Sequence, residues 1–387
     1  MDNNQQTSHL YVDNASAVAA LLSHMGSAES VAIDTEADSL YHYYHKVCLI
    51  QITLDEQNYI VDPLSDVDLD GFLATLAQKP LILHDAGYDL RMMRSSFGFK
   101  PENKVFDTML AAQLLGHEKF GLGSLVENFF GIVMPKGGQK SDWSRRPLSP
   151  NQLMYATEDT FYLHKLAEIF ADELEKLQRT DWHQQWCEKT LQAVESYKPA
   201  VDPEDAWRIK GARFLDIEAL TQLRSIWKWR EVESQKEDVP PFKVMQNSLM
   251  LRLAVWASRH SRTSLSKGPR LPKNCRGRRL QELKKAIALS YEIPESEKPR
   301  HPKPKHHPKP PPETNQIFEE LKTECDRIAA ELNIASQVLS SRAKLKSIAM
   351  RKPRDIEEIQ KCGGIMKWQA DLLAPSIENI LKEFPEK

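Results

Sequence analysis

Along the first two hundred residues the apolar positions follow two rhythms. Val31 to Ala37, Val47 to Leu54, Tyr59 to Val61 and Leu81 to Leu83 are short runs of strand length and chemistry, and His9 to Val12 reads as a first strand ahead of them. Ala15 to Met25 instead repeats its apolar residues at helical spacing. The first three of the four runs between Val31 and Leu83 are joined by short connections, which favours antiparallel pairing. Asp68 to Gln78 reads as a helix crossing over before Leu81. Tyr88 to Phe97, Phe106 to Gly116, Leu122 to Phe130 and Gln152 to Leu177 continue the helical pattern, the last capped by Ser149 or Asn151. The expected fold here is a mixed sheet flanked by helices.

Beyond residue 200 the pattern is all helical: Phe214 to Lys236, Asn247 to Ser258 and Leu280 to Ser290, broken at Asp238-Val239-Pro240-Pro241-Phe242. Glu295 to Glu313, rich in Pro, Lys and His, is expected to be an extended linker. A last helical module runs from Asn315, and within it Lys361-Cys362-Gly363-Gly364-Ile365 is similar to a helix-hairpin turn. The expected domains are therefore 1–200, 201–294, the linker 295–313, and 314–387.

No apolar run approaches the roughly 18 residues of a spanning helix, and the N-terminus lacks the parts of a signal peptide; a cytoplasmic protein with no membrane partner is expected. The five scattered cysteines form no Cys-x-x-Cys pair, which argues against zinc and a disulfide framework. The net charge of −2 hides a local imbalance. Arg259, Arg262, Lys267, Arg270, Lys273, Arg276, Arg278 and Arg279 fall in one stretch without an acid. Lys136, Lys140, Trp143, Arg145 and Arg146 share a Gly- and Pro-bearing loop. Both are candidate nucleic-acid contacts.

The candidate chemistry begins with Asp34 and Glu36, two positions apart on a strand and so on one face. Two acids projecting together from a buried strand are costly unless cations or protons neutralise them. Asp89 lies in the first turn of a helix that follows a strand, with Asp85 as its competitor, and Tyr155 and Asp159 are four apart on one helix face. If convergent, Asp34, Glu36, Asp89 and Asp159 form an oxygen-only site for two hard divalent cations, Mg2+ or Mn2+. Such a pair activates water and stabilises a leaving oxygen at phosphorus, and Tyr155 would orient that water.

These residues resemble the ribonuclease D family of DEDDy exonucleases. Asp34 and Glu36 match its first motif, Asp89 in His84-x-Ala86-x-x-Asp89-Leu90 its second, and Tyr155 and Asp159 its third. The similarity extends through Phe106-Asp107-Thr108, Ser141-Asp142-Trp143 and Arg146-Pro147-Leu148-Ser149. Trp207-Arg208-x-Lys210-Gly211 and Trp227-Lys228-Trp229-Arg230-Glu231 resemble the start of a helicase-and-RNase-D C-terminal (HRDC) domain. The resemblance implies an α/β ribonuclease H-like exonuclease domain followed by all-α HRDC-type modules. It also implies a monomeric 3′-5′ exoribonuclease that releases 5′-monophosphates, with tRNA precursors and other small structured RNAs as substrates. Two other readings are a 3′-5′ DNA exonuclease of the same superfamily and a non-catalytic RNA-binding scaffold.

Overall fold

A computed structural model describes residues 8–135, 137–197, 204–261, 264–302 and 311–384. The chain divides into two compact units: residues 1–37, 47–197 and 307–387 form one, and residues 38–46 and 198–306 the other. This division by packing differs from the composition-based one, because the last helices join the N-terminal unit.

In the first unit, β1 (His9–Val12), α1 (Ala15–Ser27), β2 (Val31–Ala37), β3 (Val47–Leu54), β4 (Gln57–Val61), α2 (Asp70–Ala77) and β5 (Leu81–Leu83) follow the expected order. Then come α3 (Ala86–Phe97), β6 (Val105–Asp107), α4 (Thr108–Leu114), α5 (Leu122–Phe130), α6 (Pro150–Phe161), α7 (Leu163–Lys176) and α8 (Thr180–Glu195). The six strands form one sheet in the order β1-β4-β3-β2-β5-β6. β2 pairs antiparallel with β3 and β3 with β4, whereas β5 runs parallel to both β2 and β6. β3 is the run Val-Cys-Leu-Ile-Gln-Ile-Thr-Leu, buried at every position, as a strand covered on both faces requires.

Two expectations change here. Phe106 and Asp107, expected at the start of a helix, lie with Val105 in an edge strand, because Leu81, Ile82 and Leu83 pair with these three residues in parallel register. The single helix expected over 152–177 ends at Tyr162, which caps α6 and precedes α7. α6 starts at a capping box: the Ser149 side chain accepts from the Gln152 amide, Gln152 reaches back to Ser149, and Pro150 occupies the first turn.

The second unit contains α9 (Ile217–Glu237), α10 (Pro241–Val244), α11 (Asn247–Arg259) and α12 (Arg278–Ser290), with Leu223, Ile226, Met250, Leu253 and Leu283 among its core residues. Residues 295–302, expected to be linker, pack in this unit: Lys298 pairs with Glu218, and His301 Nε2 bonds the Leu215 carbonyl at 2.7 Å. Residues 303–310 of that stretch lie outside the described residues.

α13 (Thr314–Glu331), α14 (Ser336–Leu339), α15 (Arg342–Arg351), α16 (Ile356–Lys361) and α17 (Lys367–Lys382) return to the first unit. Their Ile317, Leu321, Ile348, Leu373 and Ile377 share one hydrophobic cluster with Ala111, Leu114, Val126, Leu166 and Phe170 of α4, α5 and α7. Arg179 ties the two stretches by donating to the Leu114 carbonyl at 2.5 Å and to the Leu332 carbonyl at 2.6 Å. Gly363 and Gly364 take left-handed conformations after α16, a helix-terminating turn that glycine permits without strain.

Candidate functional site

The acidic residues come from three elements. Asp34 and Glu36 leave β2 toward α6, which packs across β2, β3 and β4. The register of α6 is fixed by a buried hydroxyl contact, Thr53 Oγ1 of β3 donating to Thr160 Oγ1 at 2.8 Å. This places Asp159, the neighbour of Thr160, opposite β2. Ligand oxygens of Asp34, Glu36 and Asp159 all lie within 4.8 Å of one another, and the three side chains are half-buried.

Asp89 enters from the first turn of α3, where it is buried and accepts a 2.6 Å hydrogen bond from Thr35 Oγ1 of β2. Asp85 is exposed and holds a left-handed conformation at the N-cap of the same helix, so it does not compete for the position. The start of α3 is held by Asp107, which sequence reasoning noted only as part of a longer similarity. Its carboxylate accepts from the amides of Ala86 at 2.9 Å and Asp85 at 3.2 Å, and from Met109 at 2.9 Å and Leu110 at 3.1 Å in α4. One buried side chain thus caps two helices.

The electrostatics match a site made for cations. Burial first, then the charges of Asp89, Asp159 and Glu36, push the Asp34 carboxyl well above the usual range. Burial and the charges of Asp159 and Asp89 push Glu36 up to about 9. Asp89 and Asp159 are each pushed up to about 7, again chiefly by burial, although the Thr35 hydroxyl opposes the rise at Asp89 and the Tyr155 phenol at Asp159. Among the described residues no Lys or Arg pairs with any of the four. The donor set fits hard divalent cations, which would supply the missing positive charge.

Tyr155 hydrogen-bonds Asp159 one turn along α6, and burial together with the charges of Asp159, Glu36 and Asp34 raises its pKa, so the phenol keeps its proton. Gly138 lies against its ring, where a Cβ would overlap the aromatic carbons. A recess of about 580 Å³ opens between this loop and α6, lined by Gly137, Gly138, Ser141, Arg145, Met154 and Tyr155 among others.

The basic candidates divide. Arg145 is exposed on the loop and pairs with Asp142 at 2.9 Å. Lys140 lies on the same exposed loop. Trp143 is corrected: its indole is 0% exposed, packed with Cys48, Ile60, Leu148 and Ala156, and cannot stack on a base. Arg146 is engaged within the protein. It grips Asp62 through Nε and Nη2, both at 2.6 Å, and donates to the carbonyls of Cys48, Trp143 and Arg145. Arg278 and Arg279 pair with Glu233, which is buried, and with Glu237, and so join α12 to α9. Arg259, Lys267, Arg270, Lys273 and Arg276 are exposed, and Lys136 and Arg262 lie outside the described residues. Trp143, Arg146, Arg278 and Arg279 all have partners distant in sequence, which local pattern does not reveal.

A family model described as 3′-5′ exonuclease matches residues 10–175, and an HRDC domain model matches residues 220–261 and 314–381. Ribonuclease D of Zymomonas mobilis is 33% identical over 254 residues, covering 64% of this chain and 64% of that protein. Ribonuclease D of Gluconacetobacter diazotrophicus is 28% identical over 339 residues, covering 85% of this chain and 83% of that protein. Among solved structures, a protein from Bifidobacterium adolescentis superposes with a TM-score of 0.81 at 23% identity, over 97% of each chain. RNase D of Escherichia coli superposes with a TM-score of 0.70 at 23% identity, over 98% of this chain and 100% of that one. No helix among the described residues is long and apolar enough to cross a membrane.

Proposed function

We propose that this chain is a member of the ribonuclease D family of 3′-5′ exoribonucleases and that it shortens RNA from the 3′ end by metal-dependent hydrolysis, releasing nucleoside 5′-monophosphates. The observation that carries the reading is the convergence of Asp34, Glu36 and Asp159 within 4.8 Å, with Asp89 tied to the same strand through Thr35. Asp34, Glu36, Asp89 and Asp159 would hold two divalent cations, Mg2+ or Mn2+. When bound, the ions supply activation of a water nucleophile and stabilisation of charge on the leaving oxygen.

The chain's own residues do the positioning. β2 holds Asp34 and Glu36 in place, because β3 pairs with both positions and β5 pairs with the start of the strand. Tyr155 donates toward Asp159, which places its phenol to orient the attacking water. An all-acid site repels a polyanion, and the attraction falls to exposed cations such as Lys140 and Arg145, with Arg259, Lys267, Arg270, Lys273 and Arg276 in the other unit. Residues 201–294 and 314–387 serve as two HRDC-type modules, the second sharing the core of the exonuclease helices.

We propose tRNA precursors and other small structured RNAs as substrates of a monomeric cytoplasmic enzyme. The Escherichia coli relative is described as an exoribonuclease involved in structured RNA processing, which supports that class. The test is digestion of matched RNA and DNA bearing 3′ overhangs, with Mg2+, with Mn2+ and with chelator. A metal-dependent ladder shortening from the RNA 3′ end, with DNA spared, is expected. Equal or preferential loss of DNA would replace the substrate, and tight RNA binding without cleavage would leave only a scaffold.

A further inference from the structure

The second unit carries a cavity of about 730 Å³ whose walls include Arg208, Ile209, Lys210, Arg213, Phe214 and His301. It is formed where the chain doubles back ahead of α9. Gly211 takes a left-handed conformation, φ +107°, and a side chain there would press on Leu251. The buried Trp207 anchors the near side, with the Arg208 guanidinium 4.2 Å above its ring.

Phe214 is the anomaly. It is 77% exposed, and the Arg213 guanidinium lies 4.6 Å from its ring centre. A phenylalanine left in water forgoes the stabilisation of burial, and a large exposed ring beside cations marks a contact surface. The charges around it are unbalanced. Arg208 is neutralised by Asp205 at 2.6 Å, and the Asp216 carboxylate is used as the N-cap of α9, accepting from the Ala219 amide at 2.8 Å. Among the described residues Lys210 and Arg213 have no acidic partner.

A stacking ring, two uncompensated cations and a cavity of small-ligand size are the components by which proteins hold a single strand of nucleic acid. We propose that this pocket seats one nucleotide of a single-stranded RNA segment, its base against Phe214 and its flanking phosphates on Lys210 and Arg213. The assignment rests on the reading that the chain acts on RNA. A duplex does not satisfy it, because paired bases offer no free face to the ring.

The test uses the full chain with chelator, so that no RNA is cleaved, and follows fluorescence anisotropy of a labelled single-stranded oligonucleotide and of a blunt duplex. Phe214→Ala is expected to weaken single-strand binding by roughly 5- to 150-fold, and Phe214→Trp to retain it. Lys210→Ala with Arg213→Ala is expected to lower the salt slope of binding by roughly 1.4, about 0.7 per lost phosphate contact. Single-strand affinity and salt slope unchanged in both variants, while the wild type binds and shortens RNA, would overturn the pocket and leave the enzymatic reading intact. Equal losses for single strand and duplex would also overturn it. A wild type that neither binds nor shortens RNA would remove the premise together with the pocket.

Discussion

The Thr35 hydroxyl donates a 2.6 Å hydrogen bond to Asp89, joining the strand that carries Asp34 and Glu36 to the helix that carries the fourth acid. Thr35→Val keeps the shape and removes the bond, leaving Asp89 without a donor that favours its charged form. We expect kcat/KM to fall by about tenfold, the equivalent of roughly 1.4 kcal/mol, with a melting temperature within a few degrees of wild type. Unchanged kinetics would mean that the hydroxyl serves only packing.

Removing a charge at the acidic cluster should separate binding from turnover. Asp34→Asn and Asp159→Asn are each expected to abolish detectable cleavage while leaving the RNA dissociation constant within a few-fold of wild type. Full cleavage by either variant would rule out the two-cation site.

For Tyr155→Phe the fold should persist, since the ring still packs against Gly138. A loss of roughly 10²- to 10⁴-fold in kcat is expected for a group that positions a proton-transferring water. Wild-type kcat in this variant would exclude the phenol from the reaction.

The pH dependence of stability has a definite sign. Glu36, pushed up to about 9, and Asp89 and Asp159, pushed up to about 7, bind protons more tightly folded than unfolded. In the metal-free protein their stabilising protonation is complete below roughly pH 4 and is lost as pH rises through about 7 to 9. Divalent cations replace those protons. The rise in melting temperature produced by Mg2+ should therefore grow between about pH 6 and pH 9. A rise independent of pH would show that the cation binds elsewhere.

Arg146 tests a structural role. Burial alone would raise the pKa of Asp62, but hydrogen bonds from Arg146, Tyr11 and the Leu64 amide overcome it and hold the carboxyl below its usual value. Arg146→Ala should cost about 2–4 kcal/mol in chemical denaturation, because it strands a buried carboxylate. Its effect on RNA affinity should be no greater than that of a control change at an exposed cation. A stable protein with specifically weakened RNA binding would return Arg146 to the interface.

What was legible in the sequence was what short-range geometry fixes. Asp34 and Glu36 share a face because strands repeat every two residues, and Tyr155 and Asp159 because helices nearly repeat every four. By position alone Asp89 competed with Asp85; the family resemblance selects Asp89, and Thr35, far away in sequence, holds it. The same distance concealed Asp107, whose partners span two helices, the burial of Trp143, and the grip of Arg146 on Asp62 and the Cys48 carbonyl. The strand at Val105 to Asp107 was hidden because it runs directly into the helical pattern of α4, and only its pairing with β5 makes it a strand. Most of the helices and the four buried strands of the N-terminal sheet needed no such long-range information.

The hydrophobic cluster that joins Leu114 and Phe170 to Ile317 and Ile377 has a bearing on biosynthesis. A ribosome delivers α4 and α7 long before α13 and α17, so the nascent chain must carry that apolar face uncovered while the whole intervening unit is made. The last helices act as the closing piece of the domain that contains the acids. A transcript cut short before them would yield a chain that is sticky and subject to chaperone and protease triage.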